Sequence, residues 1–209
     1  MPRFMTTYVP IFATVLALGL APTLASAQNA EGDESEEQPT TAESLAMGEP
    51  VDETPQPGDT YVREKIGDWS IRCVVVADAE DRCQLYQLLS DDNAQPIAEF
   101  TLLKLPEGGQ ARGASTIIVP LETSLQNQLS IQVDQQPGKR YPFAFCNTVG
   151  CYARIGLTQE DIDAYKRGSA AVLSIVPMAA PDVRVSVPLS LNGFTAAFEQ
   201  LEINDPGGQ

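Results

Sequence analysis

From Tyr61 onward, apolar and polar positions alternate in short runs separated by turn residues. In Trp69–Val76 the alternation puts Trp69, Ile71, Cys73 and Val75 on one face, and the run is rich in β-branched and aromatic residues. Period two with that composition predicts a strand that buries one side. Asp78-Ala79-Glu80-Asp81 reads as a hairpin turn and Cys83–Leu89 as the returning strand. Asp91-Asp92-Asn93 marks the next turn, and Ile97–Leu105 a strand closed by Pro106-Glu107-Gly108-Gly109. Further strands are predicted at Ser115–Val119, Leu129–Val133, Tyr141–Cys146, Cys151–Ile155, Ala171–Val176 and Val183–Leu191. Pro120, Pro142, Pro177 and Pro188 belong at strand ends, edges or bulges, because proline cannot donate to a ladder.

Two stretches break this rhythm. Thr158-Gln159-Glu160-Asp161 has the form of a capping box with Asp at its third position, and Lys166-Arg167-Gly168 supplies basic residues and a C-cap glycine. Ile162 and Tyr165 share a face of the helix between them. Phe194, Ala197, Phe198 and Leu201 also follow helical spacing and predict a second short helix that packs on the strands. The fold class is therefore mainly β: a β-sandwich, immunoglobulin-like or jelly-roll-like, with one or two short helices.

The N-terminal part has a different texture. Arg3 is the only charge before Glu31, Val9–Leu20 is almost wholly apolar, and Ala25-Ser26-Ala27 has the small-x-small form of a signal-peptidase site. These features predict a signal peptide over 1–27, cleaved after Ala27. The apolar run is shorter than the roughly 20 residues that span a bilayer. No transmembrane segment is expected after cleavage. Between Gln28 and Asp59 there are ten Asp or Glu and no Lys or Arg. The net charge is −15 overall. The remainder, from Thr60, holds eighteen acids and twelve bases, a net of −6. Four prolines and few large apolar residues complete the acidic stretch, which cannot bury enough surface to offset the entropy of ordering it. Residues 28–60 are expected to be a disordered acidic linker, 61–203 the folded domain, and 204–209 a flexible tail. Neither half has the basic footprint of a nucleic-acid binder.

The four cysteines form two local pairs, Cys73/Cys83 and Cys146/Cys151. Each pair flanks a turn, so local bonding is the simplest of three possible connectivities, although facing strands could also cross-link the two hairpins. An exported protein favours oxidation. The spacings are not C-x-x-C, and the chain has no histidine to complete a zinc shell. Structural disulfides are the reading; no metal and no cofactor are expected.

The lack of histidine also removes Ser-His-Asp and Cys-His catalysis. Lys65, Lys104, Lys139 and Lys166 lie in no Ser-x-x-Lys motif. Glu160, Asp161 and Asp163 are the densest acidic cluster of the domain, at the first turn of a helix where they complement its dipole. Asp78, Glu80, Asp81, Asp91 and Asp92 are turn acids. Lys139-Arg140 follows Pro137-Gly138 as a turn with a small potential for an anionic surface. No catalytic residue is assigned.

Gly67-Asp68-Trp69-Ser70-Ile71-Arg72-Cys73, Cys83-Gln84-Leu85-Tyr86-Gln87, Cys146 with Gly150-Cys151-Tyr152-Ala153, and Pro188-Leu189-Ser190-Leu191-Asn192-Gly193-Phe194 together resemble the invasion-associated locus B (IalB) family. The resemblance covers about Tyr61 to Leu201. It implies an exported bacterial protein with a β-sandwich-like domain, periplasmic, secreted or associated with the outer membrane. Its motif residues read as fold-defining: Trp69 as a core anchor, Gly150 as a residue for a tight or left-handed turn. The function expected is a non-enzymatic envelope or host-interaction protein with an unknown protein or envelope component as partner. A periplasmic stress or folding accessory factor and a carboxylate-based envelope glycan hydrolase are the alternatives. The hydrolase requires two acids converging in a cleft.

Overall fold

The structure, a computed structural model, describes residues 45–50 and 54–204. The expected signal peptide 1–27 with its Ala27 site, most of the expected linker 28–60 and residues 205–209 lie outside the described residues.

Five successive strands open the domain: β1 (Thr60–Ile66), β2 (Trp69–Val74), β3 (Arg82–Ser90), β4 (Pro96–Lys104) and β5 (Gly113–Val119). They form an antiparallel meander in chain order. A single 3₁₀ turn, Leu125–Asn127, leads into β6 (Leu129–Val133) and β7 (Lys139–Tyr141) in a second sheet. The chain then returns to the first sheet as β8 (Phe143–Cys146) and β9 (Cys151–Leu157), with β9 beside β5. Helix α1 (Gln159–Arg167) carries it back to β10 (Ala170–Ile175) and β11 (Val185–Ser190) of the second sheet, and α2 (Phe194–Gln200) follows. The result is mainly β, with two antiparallel sheets of order β1-β2-β3-β4-β5-β9-β8 and β11-β10-β6-β7, and two helices.

The alternation read from sequence is the burial pattern found. In β5, residues 113, 115, 117 and 119 are buried and those between them are not, and β6 and β9 behave alike. One core joins both sheets and both helices, from Ile71, Leu85 and Ile117 in the first sheet to Leu129, Ile131 and Leu173 in the second. Trp69 is fully buried and meets Phe100 and Phe194 edge-on, with ring centroids 5.7 and 5.4 Å apart. Phe194 in turn meets Tyr165 of α1 and Phe198 of α2. Such pairs each contribute about 0.5–1.5 kcal/mol beyond area burial.

Several boundaries differ from expectation, each for a local reason. The first strand is not legible in the sequence: β1 is an edge strand with most side chains exposed and a register shift between Val62 and Glu64, so its alternation is blurred. β2 stops at Val74 because Val75 N–H donates to Asp59 O and Val76 N–H to Asp81 Oδ1. Before β1, Gly58 N–H donates to Val75 O at 2.8 Å, and after α2, Asn204 N–H donates to Lys104 O. The strand predicted over Tyr141–Cys146 is two strands in two sheets, with Pro142 at the corner between them. Pro188 lies within β11, an edge strand, where its missing donor leaves no gap in the ladder.

Helix α1 has the full capping box: Thr158 Oγ1 accepts from Asp161 N–H while the Asp161 carboxylate accepts from Thr158 N–H. Gly168 caps its C-terminus with extended backbone, not the left-handed form common at that position. Glycine is required there by space, because a Cβ would lie 2.7 Å from both Leu191 Cδ1 and Val133 Cγ1.

Candidate functional site

Three of the four sequence motifs meet at one junction between the sheets. Gly67 opens the β1–β2 turn at φ 58° and Gly193 precedes α2 at φ 84°, both in the left-handed region that side chains disfavour. The two turns touch. A Cβ on Gly67 would lie 2.5 Å from Asn192 O, and one on Gly193 would collide with Ile66 O. Asp68 N–H donates to Asn192 O at 3.2 Å, and the Asp68 carboxylate accepts from Ser190 Oγ at 2.5 Å and from Asn192 Nδ2 at 3.5 Å.

Gln87 of β3 completes the junction from within. It is buried, and its Nε2 donates to Asp68 O and Ser190 O while its Oε1 accepts from Ser190 N–H at 2.8 Å. Buried amides of this kind stabilise a fold when all their partners are present and cost free energy when one is lost. The Asp68 carboxylate and the Gln87 amide, the two motif groups best equipped for chemistry, are thus engaged in holding β11 and α2 against the large sheet. Gln87 carries no signal beyond its place in the motif, since its partners in β11 are more than 100 residues away in sequence.

The cysteines pair locally. Cys73 and Cys83 stand directly opposite in the β2–β3 ladder, and Cys146 and Cys151 in the β8–β9 ladder. The first bond is buried at both ends; in the second Cys151 is buried and Cys146 exposed. Between the latter pair, Asn147 Oδ1 accepts from Val149 N–H and Gly150 N–H, an Asx turn that shapes the hairpin. Gly150 itself has no positive φ. It is needed because a Cβ would collide with Val119 O and lie 2.9 Å from Ile118 Cγ2.

Of the eight acidic residues weighed for catalysis, Asp81, Asp91, Asp161 and Asp163 are turned onto local donors. Asp81 accepts from Tyr61 O–H and Val76 N–H, and Asp163 from Gln159 Nε2. Asp91 accepts from Gln95 and Asn93 N–H, which hold its carboxyl below the usual range against a desolvation that raises it. At Asp161, burial pushes upward, but Lys139 and the Thr158 N–H and hydroxyl outweigh it, and the carboxyl is again held low. Both shifts run opposite to the raised value a general acid uses. Lys139 thus closes an ion pair with α1 and does not stand free with Arg140. Tyr141 beside it is pushed up to about 12, chiefly by burial and then by the Asp161 charge. Among the described residues, no three of Cys, Asp and Glu are grouped as metal ligands, and no helix is long and apolar enough to cross a membrane.

What the framework leaves for contact is its surface, and one part of it is unusual. Exposed sheet edges invite pairing with other chains, and charge, proline or bulges normally blunt them. Edge β1 carries Arg63, Glu64, Lys65 and a register shift; edge β7 carries Lys139 and Arg140; edge β11 carries Pro188. Edge β8 reads Phe-Ala-Phe-Cys and carries no charge; only its four-residue length, Pro142 before it and a register shift between Phe143 and Phe145 blunt it. Phe145 is 43% exposed, stacks on Tyr152 at 4.6 Å, and has the Arg154 guanidinium 5.5 Å away. Among the described residues Arg154 makes no ion pair, and Val149 at the hairpin tip is 68% exposed.

Comparison with known proteins agrees with this architecture. A family model described as "Invasion associated locus B (IalB) protein" matches residues 69–202. Among solved structures, the crystal structure of invasion associated protein b from Bartonella henselae is similar at a TM-score of 0.54 and 20% identity, covering 66% of this chain and 92% of that one. No curated protein sequence matches significantly. Since the matched span holds both disulfides, Gln87 and the Ser190–Gly193 side of the junction, this chain belongs to the invasion associated locus B family.

Proposed function

We propose that this protein is exported by a signal peptide cleaved after Ala27 and works, in the periplasm or outside the cell, as a non-enzymatic binding protein of the envelope or of a host surface. The observation that carries this reading is the uncharged β8 edge with exposed Phe145 and Val149 beside an Arg154 that makes no ion pair among the described residues. A stapled hairpin keeps that edge rigid without the partner, so little ordering entropy opposes binding. Main-chain groups of such an edge can add a strand from an extended polypeptide, while Phe145 and Arg154 offer apolar and acid-complementary contacts. Two disulfides suit a protein outside the reducing cytoplasm. The acidic stretch 28–60 would act as a spacer between the domain, 61–203, and the mature N-terminus. The Bartonella henselae protein is named as invasion associated; a surface-binding role here is consistent with that name.

A photo-crosslinking residue placed at Phe145, with Met178 (65% exposed) as the control position, tests the reading in living cells. Mass spectrometry should identify a defined envelope or host protein from position 145 and not from 178. Identical background patterns from both positions would sink it. Export is tested separately by N-terminal sequencing of the protein from an osmotic-shock fraction, which should begin at Gln28.

A further inference from the structure

A second feature of the surface shares no residue with the β8 edge. A cleft of about 240 Å³ opens where α1, α2 and the β4–β5 connection meet. Its accessible apolar lining is Ile203, 55% exposed, and the half-buried Leu105, over the buried Ile162 and Phe198. Its rim holds three cations, Lys104, Arg112 and Lys166, in a domain whose sequence is net acidic. The ammonium groups of Lys104 and Lys166 each lie 5.6 Å from the Phe198 ring centroid.

Arg112 is better anchored than its counter-ion, Lys104 is held by a carbonyl, and Lys166 is held by Glu199. Lys104 donates to Leu201 O at 3.1 Å, and Arg112 to Pro106 O and Gln159 Oε1. Their side chains are modestly exposed, 21% for Arg112 and 28% for Lys166. The two carboxylates that face them, Glu107 on Arg112 and Glu199 on Lys166, are 86% and 64% exposed. Ion pairs of that kind are weak and readily exchanged. Glu107 and Glu199 therefore stand where an incoming anion would bind, as ligands it can displace.

We infer that this cleft binds a phosphate monoester carried on an apolar chain. A phosphate offers three oxygens to three cations, and Arg112 supplies the planar fork suited to two of them. The apolar lining takes the first carbons of the chain. A cleft of this volume admits a head group and a few carbons but not a whole lipid. The chemistry is shared by a lipid head group and a free small phosphate ester.

Isothermal titration of the full chain with octyl phosphate below its critical micelle concentration tests the site, with inorganic phosphate and octyl glucoside as comparison arms. Octyl phosphate should bind, more weakly in high salt, and at least about tenfold more tightly than either comparison ligand. The K104Q/K166Q double variant should lose about tenfold in affinity. Removing the competing carboxylates by E107Q/E199Q should instead tighten binding about two- to fivefold, a gain that a merely structural role would not produce. Unchanged Trp69 fluorescence in each variant verifies the fold. Absence of octyl phosphate binding, equal binding of octyl glucoside or inorganic phosphate, or affinity indifferent to both double variants would each overturn the inference. Because Phe145 plays no part, the result stands or falls apart from the β8 reading.

Discussion

Gln87 offers the sharpest test of how the two sheets are held together. Gln87→Met keeps the length and apolar stem of the side chain but removes the donors to Asp68 O and Ser190 O and the acceptor for Ser190 N–H. A typical hydrogen bond contributes about 1 kcal/mol net, and a buried group left without a partner costs about 1–3 kcal/mol. Ser190 N–H loses its Gln87 acceptor, while each carbonyl keeps a second lone pair, so the expected loss is about 3 kcal/mol. For a domain of this size that is roughly 10 °C in Tm. Gln87→Glu should be worse at pH 7, because a carboxylate would face the carbonyl oxygens of Asp68 and Ser190. Its native-state pKa would be raised, so the penalty grows as pH rises and falls below the Met value in acid, where one donor is restored beside the acceptor for Ser190 N–H. Guanidinium unfolding followed by the fluorescence of the one tryptophan, Trp69, reads all of this, since Trp69 is fully buried next to the junction. Gln84→Met on the same strand should stay within about 0.5 kcal/mol. A Gln87→Met variant as stable as the parent, with Gln87→Glu no worse, would refute the assignment of Gln87 as the internal tie.

Other expectations follow from the same geometry. Replacing both Cys73 and Cys83 by Ser should cost about 3 kcal/mol, somewhat more than the Cys146/Cys151 pair because the closed loop is longer and both sulfurs are buried. Under limiting dithiothreitol, alkylation and mass spectrometry should find the Cys146–Cys151 bond opened first, as Cys146 is exposed. Gly150→Ala should cost about 2 kcal/mol through its collision with Val119 O, with faster amide exchange around the Val119–Cys151 pair of the β5–β9 ladder. Asp161→Ala should cost about 1 kcal/mol at pH 7 through the lost capping box and Lys139 pair. The Asp161 carboxyl is held low in the folded state, so its contribution is present above the unfolded-state value and disappears as pH falls through the lowered one. The gap between parent and variant should therefore close below about pH 4 in acid-unfolding curves.

Much of this protein is written locally. Strands such as Leu129–Val133, the capping box at Thr158–Asp161 and the apolar face of Phe194–Leu201 depend on neighbours a few residues away, and spacing alone reveals them. The pairing within each cysteine couple is the simplest reading for the same reason: a short hairpin places its two ends opposite each other. Gln87 and Gly193 lie within the span that marks the family, but that does not say what they and Gly67 do. That depends on β11 and α2 folding back, more than 100 residues later, onto the turn that precedes Trp69. Likewise Gly150 and Gly168 are glycines because of Val119, Leu191 and Val133, which no local pattern connects to them. The β8 edge and the Phe198 cleft exist only once Pro142 sends one predicted strand into two sheets and the two helices meet the β4–β5 connection. Periodicity encodes which side of a segment avoids water. Which segment then lies against that side is decided by long-range packing, and in this protein the surfaces open to a partner are made there.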